Sequence, residues 1–138
     1  MILYNSESSF SLKDEKKISV WIEHISALEG FTIGEINYIF CDDIYLNSIN
    51  KEFLNHDSFT DIISFDYTLG QQLNGDIYIS TERVLDNAET YSVAFEIELC
   101  RVMIHGVLHY MGYKDKSIED KNEMRKKENT CLLLYKAN

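Results

Sequence analysis

The sequence predicts an α/β fold with α+β character: a mixed sheet of about four strands, helices around it, and one central buried helix. Three observations predict it. In the first half of the chain, short β-branched and aromatic runs alternate with segments of helical periodicity, a pattern of partly parallel strand pairing. Further on, residues 62–67 and 76–80 read as two strong strands separated by turn residues between Gly70 and Gly75, which predicts a hairpin. Finally, residues 93–111 carry Phe95, Ile97, Leu99, Val102, Met103, Ile104, Val107, Leu108 and Met111 around nearly the whole helical circumference. A helix apolar on all sides is a buried one.

The elements follow in order. Met1, Ile2, Leu3 and Tyr4 form a short first strand. Ser11 is the expected cap of a helix over about 12–29, with Leu12, Ile18, Ile22, Ile25 and Leu28 as its apolar stripe, Asp14 and Glu15 in its first turn, and Gly30 ending it. Residues 35–41 alternate, Ile36, Tyr38 and Phe40 on one side and Asn37 and Ile39 on the other, as a strand does. Asp42 or Asp43 caps a short helix reaching about residue 54. Thr81 opens a helix to about residue 91, and two more helices cover about 93–111 and 117–136.

At 138 residues, 45% hydrophobic and 26% charged, the chain is expected to be a single domain, 1–138. That composition excludes a disordered tail, a collagen-like fibre and a membrane bundle. A net charge of −10 argues against indiscriminate binding to nucleic acid or anionic membranes. The charge is uneven: residues 1–100 hold five basic against 18 acidic side chains, residues 101–138 eight against five. Lys121, Arg125, Lys126 and Lys127 are therefore read either as the wet face of the last helix or as a surface for an anionic polymer. Cys41, Cys100 and Cys131 are odd in number and far apart, so they are expected to be core hydrophobes rather than a disulfide or zinc framework. The N-terminal residues lack the pattern of a signal peptide, and a cytosolic, reduced, soluble protein is expected.

Two histidines, His105 and His109, lie i and i+4 on the central helix, on one face. Unpaired imidazoles on an apolar helix are costly to bury, and sharing a metal ion removes that cost. Gly112 can take the left-handed conformation that ends a helix, and Asp115 follows three residues later on a returning chain. The pattern H-x-x-x-H-x-x-G-x-x-D has the spacing of the metzincin zinc motif, with Gly106 in place of the glutamate and Asp115 in place of the last histidine. Three protein ligands leave a position for water, as in catalytic sites. The missing glutamate removes a zinc peptidase's general base, and no residue is assigned that role here. His24 reads as a surface or core histidine and His56 as a polar-loop residue that could touch substrate. Glu98 and Arg101 form an i, i+3 helix pair, the favoured reading, or orient a ligand from behind. Asp76 is read as a strand-start residue in preference to a second metal ligand.

At His105-Gly106-Val107-Leu108-His109-Tyr110-Met111-Gly112-Tyr113 the chain resembles the YbeY family of bacterial rRNA maturation endoribonucleases, whose signature is H-G-x-L-H-x-x-G-Y-D-H. Leu46-Asn47, Asn50 to Phe53, Thr60-Asp61-Ile62-Ile63-Ser64-Phe65 and Gly75-Asp76-Ile77-Tyr78-Ile79-Ser80 resemble further family segments in the family's order. The resemblance implies a small α/β fold with one zinc ion, or another divalent metal, held by His105, His109 and Asp115. It implies cleavage of single-stranded RNA in 16S rRNA 3′-end processing and ribosome quality control. The small ribosomal subunit and assembly factors are the implied partners, without DNA or membrane. Lys51, Thr60 and Ser64 are candidate substrate-binding residues. In the T-D-I-I-S-F segment, packing and lining of a groove beside the metal are both open, packing being favoured. Two positions depart from the family: Leu54 stands where an arginine is usual, and Phe59 where a proline is. A ribosome-assembly binding protein with structural zinc is the alternative, and a zinc peptidase a third, weakened by Gly106.

Overall fold

The computed structural model describes residues 1–54 and 60–137, so His56 and Phe59 lie outside the described residues. Four strands, β1 (Ile2–Ser6), β2 (Thr32–Cys41), β3 (Ile62–Asp66) and β4 (Gln72–Ser80), form one sheet in the order β1-β2-β4-β3. β2 pairs parallel with both β1 and β4, and β3 pairs antiparallel with β4 as the expected hairpin. β3 is thus an edge strand. The helices are α1 (Glu15–Leu28), α2 (Asp43–Leu54), α3 (Thr81–Tyr91), α4 (Phe95–Tyr110) and α5 (Ile118–Lys136).

β2 and β4 are both longer than their periodicity suggests. Register shifts between Ile33 and Ile36, so the alternation that holds from Ile36 to Phe40 does not extend back to Thr32. At β4, residues expected in the turn belong to the strand. The chain reverses instead at Leu69–Gln72, whose backbone groups pair at 3.0 and 2.9 Å, with Gly70 at φ 59°.

α1 starts later than expected, and Ser11 does not cap it. Phe10 explains the delay: its ring sits 5.2 Å from Phe40 and 6.0 Å from Phe95, holding the preceding segment against the core. Asp14, at φ 59°, occupies the cap position without a side-chain hydrogen bond. Trp21, rather than Leu28, completes the buried stripe with Ile18, Ile22 and Ile25; Leu28 is exposed. The Trp21 indole N–H donates to the Cys131 carbonyl at 2.8 Å and ties α1 to α5. All three cysteines are buried and free. Asp42 accepts from the Tyr45 N–H at 2.8 Å and caps α2.

The core lies between the sheet and α4. Ile36, Tyr38, Leu73, Ile77 and Ile79 meet Met103, Ile104, Val107 and Leu108, all fully buried. The Tyr38 hydroxyl donates to the Met103 carbonyl at 2.9 Å. α2 covers the opposite sheet face through a smaller cluster of Leu46, Cys41 and Ile63, with Phe65 and Tyr78 against it. Among the described residues no helix is long and apolar enough to cross a membrane.

Tyr110, at the end of α4, fixes the helix to the hairpin. Its hydroxyl lies 2.9 Å from the Phe65 carbonyl oxygen and 3.1 Å from that of Asp76. Gly75 makes this approach possible, since a Cβ there would overlap both the Tyr110 hydroxyl and the Phe65 carbonyl. Asp76 lies in the middle of β4 rather than at its start, because the strand begins at Gln72, and it accepts a hydrogen bond from the Asn37 amide at 3.1 Å. Gly75→Ala is expected to destabilise the fold by about 1–3 kcal/mol through overpacking, read as a lower urea midpoint at unchanged m-value.

Candidate metal centre and cleft

α4 carries His105 and His109 on the stripe that neither the sheet nor α1 covers. Their rings meet edge to face with centroids 4.6 Å apart. The helix then ends as its sequence requires. The Gly112 N–H reaches the His109 carbonyl at 3.0 Å and the Tyr113 N–H the Leu108 carbonyl at 3.1 Å, with Gly112 at φ 104°, which is a Schellman turn. The Tyr113 hydroxyl donates to Glu29 at 2.7 Å, and Lys127 donates to the same carboxylate at 3.0 Å. These bonds hold the Glu29 carboxyl below its ordinary pKa, Tyr113 contributing most. The clasp fixes the turn between α4 and α5, from which Asp115 returns toward the histidines.

Three donor atoms converge there. His105 Nε2 and His109 Nε2 are 3.0 Å apart, and each lies 3.2 Å from Asp115 Oδ2. Ligands of a tetrahedral cation with bonds of about 2.0–2.1 Å stand about 3.3 Å from one another. The donor triangle therefore fits a single small cation, and the three residues can share a metal ion.

The tautomer of His105 is set from behind. Glu128 Oε2 lies 2.7 Å from His105 Nδ1, so the ring donates there and turns its Nε2 lone pair toward the other donors. Glu128 is 4% exposed and its second oxygen takes Arg101 at 3.1 Å; Arg101 also lies 3.5 Å from buried Glu98. Glu98 and Arg101 are therefore more than the helix pair favoured from sequence, because through Glu128 they orient His105. Burial alone would lower the His105 pKa, but the Glu128 hydrogen bond and the Glu128, Asp115 and Asp61 charges outweigh it and leave it raised. A proton and a cation thus compete for the same nitrogen.

Gly106 has a packing role. A Cβ there would stand 3.0 Å from Ile77 Cδ1 and 3.2 Å from Ile62 Cδ1. This helix position faces the sheet, so a glutamate side chain would have no route to the donors.

The cleft around the triad has a volume of about 580 Å³, within the roughly 300–1,000 Å³ typical of ligand sites. Thr60, Asp61, Ile62 and Ser64 form one wall; Lys121, Asn122 and Arg125 of α5 form another. β3 alternates as a strand must: Ser64 lines the cleft while Ile63 and Phe65 pack toward α2. Lys51 is not among the lining residues. It belongs to the last turn of α2, which packs on the opposite face of the sheet. Exposed His24 also lies elsewhere, on α1. Asp61 is a cleft acid to which sequence reading gave no separate role. Its carboxylate accepts from the Asn87 amide at 3.2 Å, and burial raises its pKa against the lowering effect of the His105 charge.

Glu128 went unnoticed in the sequence, though a signal exists. It falls within the stripe Met124, Cys131, Leu132 and Tyr135, which is buried. A carboxylate inside an apolar stripe needs a buried partner.

The family model described as endoribonuclease YbeY matches residues 3–136. A relative from Flavobacterium johnsoniae named endoribonuclease YbeY is 53% identical, covering 98% of this chain and 97% of its own. Another of the same name from Flavobacterium psychrophilum is 55% identical, covering 98% and 96%. The solution structure of a Thermotoga maritima protein superposes with a TM-score of 0.69 at 27% identity, covering 96% of this chain and 87% of that one.

Glu128→Gln is expected to weaken metal binding roughly 10- to 100-fold, measured by competition with a chromogenic chelator. The Glu29 clasp gives a pH-dependent prediction. A lowered folded-state pKa stabilises the fold fully above the unfolded value, about 4.3, and the contribution disappears as pH falls through the folded value. Tyr113→Phe should therefore cost about 1 kcal/mol at pH 7, after allowance for partial exposure. That difference from wild type should shrink as pH falls below about 4.3, in urea titrations of the metal-free protein.

Proposed function

The chain belongs to the endoribonuclease YbeY family, and from that premise we propose that it is a zinc-dependent single-strand endoribonuclease acting in 16S rRNA 3′-end maturation and ribosome quality control. The observation that carries this reading is the convergence of His105, His109 and Asp115 at 3.0–3.2 Å within a cleft, with Glu128 orienting His105 from behind. In this reading the whole chain is one catalytic domain of the cytoplasm. Its substrate is single-stranded rRNA, and it works with the small ribosomal subunit and assembly factors, away from membranes and DNA.

His105, His109 and Asp115 would hold the ion. Two imidazoles with one carboxylate suit zinc, while the oxygen donor widens tolerance for other divalent ions. When bound, the ion supplies a Lewis acid for a phosphate oxygen and lowers the pKa of a bound water. Glu128 and Arg101 keep His105 in the one tautomer that presents a lone pair to the cleft. Thr60 and Ser64 offer hydroxyls along the β3 wall, where a phosphodiester or ribose can be hydrogen-bonded. Lys51, also a candidate from sequence, is less well placed for this role.

One feature favours the alternative of a ribosome-assembly binding protein with structural zinc. Leu54, at the position where the family usually has an arginine, is 44% exposed and brings no charge for clamping a phosphate or stabilising developing charge. A peptidase is disfavoured because Gly106, which stands where the peptidase motif has its glutamate, is packed against the sheet.

Purified wild type and His109→Ala are to be compared for metal content and for action on single-stranded rRNA and on casein. Loss of RNA cleavage together with the metal, by at least 100-fold as for removal of a catalytic group, is the expected outcome. Intact RNA combined with tight binding to the ribosomal subunit would favour the alternative, and casein cleavage would favour a peptidase.

A further inference from the structure

The cleft has an unfavourable charge for a polyanion. Asp61, Glu98, Asp115 and Glu128 line it against three bases, Arg101, Lys121 and Arg125. The chain as a whole carries −10, which works against long-range attraction of RNA and favours contact secured locally. Arg101 is already engaged: its guanidinium is held by Glu98 and Glu128 and only 16% exposed.

The other two bases are in a different position. Lys121 and Arg125 stand i and i+4 on α5, with a rise of about 6 Å between them, and both face the cleft that holds the donor triad. The Lys121 ammonium makes no hydrogen bond or ion pair among the described residues. Arg125 is 53% exposed, and its nearest carboxylate oxygen, Glu128 Oε1, is 3.7 Å away and already bound to Arg101 at 3.1 Å. Its donor fork is therefore available to a ligand. Across the cleft stand Thr60 and Ser64, so a chain entering between β3 and α5 meets hydroxyls on one side and two exposed cations on the other.

We propose that Lys121 and Arg125 form a phosphate-contact pair that seats the backbone of single-stranded RNA along the α5 rim, beside the donor triad. The inference deepens the function proposed above and rests on it. The two residues position substrate; they take no part in bond making.

The test follows binding of a fluorescein-labelled, cleavage-resistant 2′-O-methyl phosphorothioate RNA by anisotropy across a salt titration, with cleavage of the unmodified RNA measured in parallel. Each phosphate contact to a single strand adds about 0.7 to the slope of log K against log salt. Lys121→Gln with Arg125→Gln should lower the slope by about 1.4 and weaken binding about 25-fold at 0.1 M salt. KM should rise by more than kcat falls. Lys126→Gln with Lys136→Gln, which removes equal charge from exposed α5 positions outside the cleft, should leave the slope within error. Lys121→Arg with Arg125→Lys should retain it.

An unchanged slope in the cleft variant, or an equal drop in the control variant, overturns the inference while wild-type cleavage keeps the proposed function standing. A slope drop confined to the cleft variant, without wild-type cleavage, supports the contact pair and removes the nuclease reading. Wild type that neither binds nor cleaves RNA overturns both.

Discussion

A 2.7 Å hydrogen bond between His105 on α4 and Glu128 on α5 is the constraint on which the geometry of the site depends. Glu128 is almost completely buried, and a buried carboxylate deprived of its partners costs several kcal/mol. It can satisfy both oxygens only when α5 lies at one height and one rotation against α4, where His105 takes one oxygen and Arg101 the other. Trp21 adds a second pin by donating to the Cys131 carbonyl, one turn further along α5. Once the helices are locked in this way, His105 has one tautomer and one direction for its free nitrogen. The polar network is thus both a packing device and the support of the donor triad.

The third donor depends on backbone conformation. Asp115 reaches the histidines because α4 stops at Met111 and the chain reverses through Gly112, a residue for which φ 104° carries no side-chain penalty. The reversal alone would leave a loop with freedom to sway. Glu29 removes that freedom by binding Tyr113 from the turn and Lys127 from α5 at once. A residue at the end of α1, distant in sequence from any ligand, thereby contributes to the placement of the carboxylate.

The sheet supplies the other side of the cleft. β3 is an edge strand, so one of its faces can serve the core of α2 while the other remains open beside α4. Gly106 lets α4 lie close against Ile77 and Ile62, which brings the β3 wall near the histidines. The same close packing leaves no room for an acid at that helix position. Two carboxyls on the cleft walls, Asp61 and buried Glu98, are held above the ordinary carboxylate pKa by burial.

Much of this was legible in the sequence because it rests on local periodicity and local chemistry. The order of elements, the hairpin, the all-round apolar helix and the donors His105, His109 and Asp115 can all be read within a few residues of one another. Element ends were less legible. The β2 register shift breaks the alternation that periodicity relies on, and aromatic packing of Phe10 overrides the helix-start signal at Ser11. Partners that meet only after folding were not legible at all. Glu128 is 23 residues from His105, Glu29 is 84 from Tyr113, and the division of basic residues on α5 between the cleft and other surfaces depends on the angle at which two helices pack. Donor type and spacing along the chain are covalent facts, so the residues able to share a cation could be read before any folding. Only the tertiary structure decided which groups hold those donors in place and which cations face the cleft, because a contact between distant segments exists only once the core has fixed their relative positions.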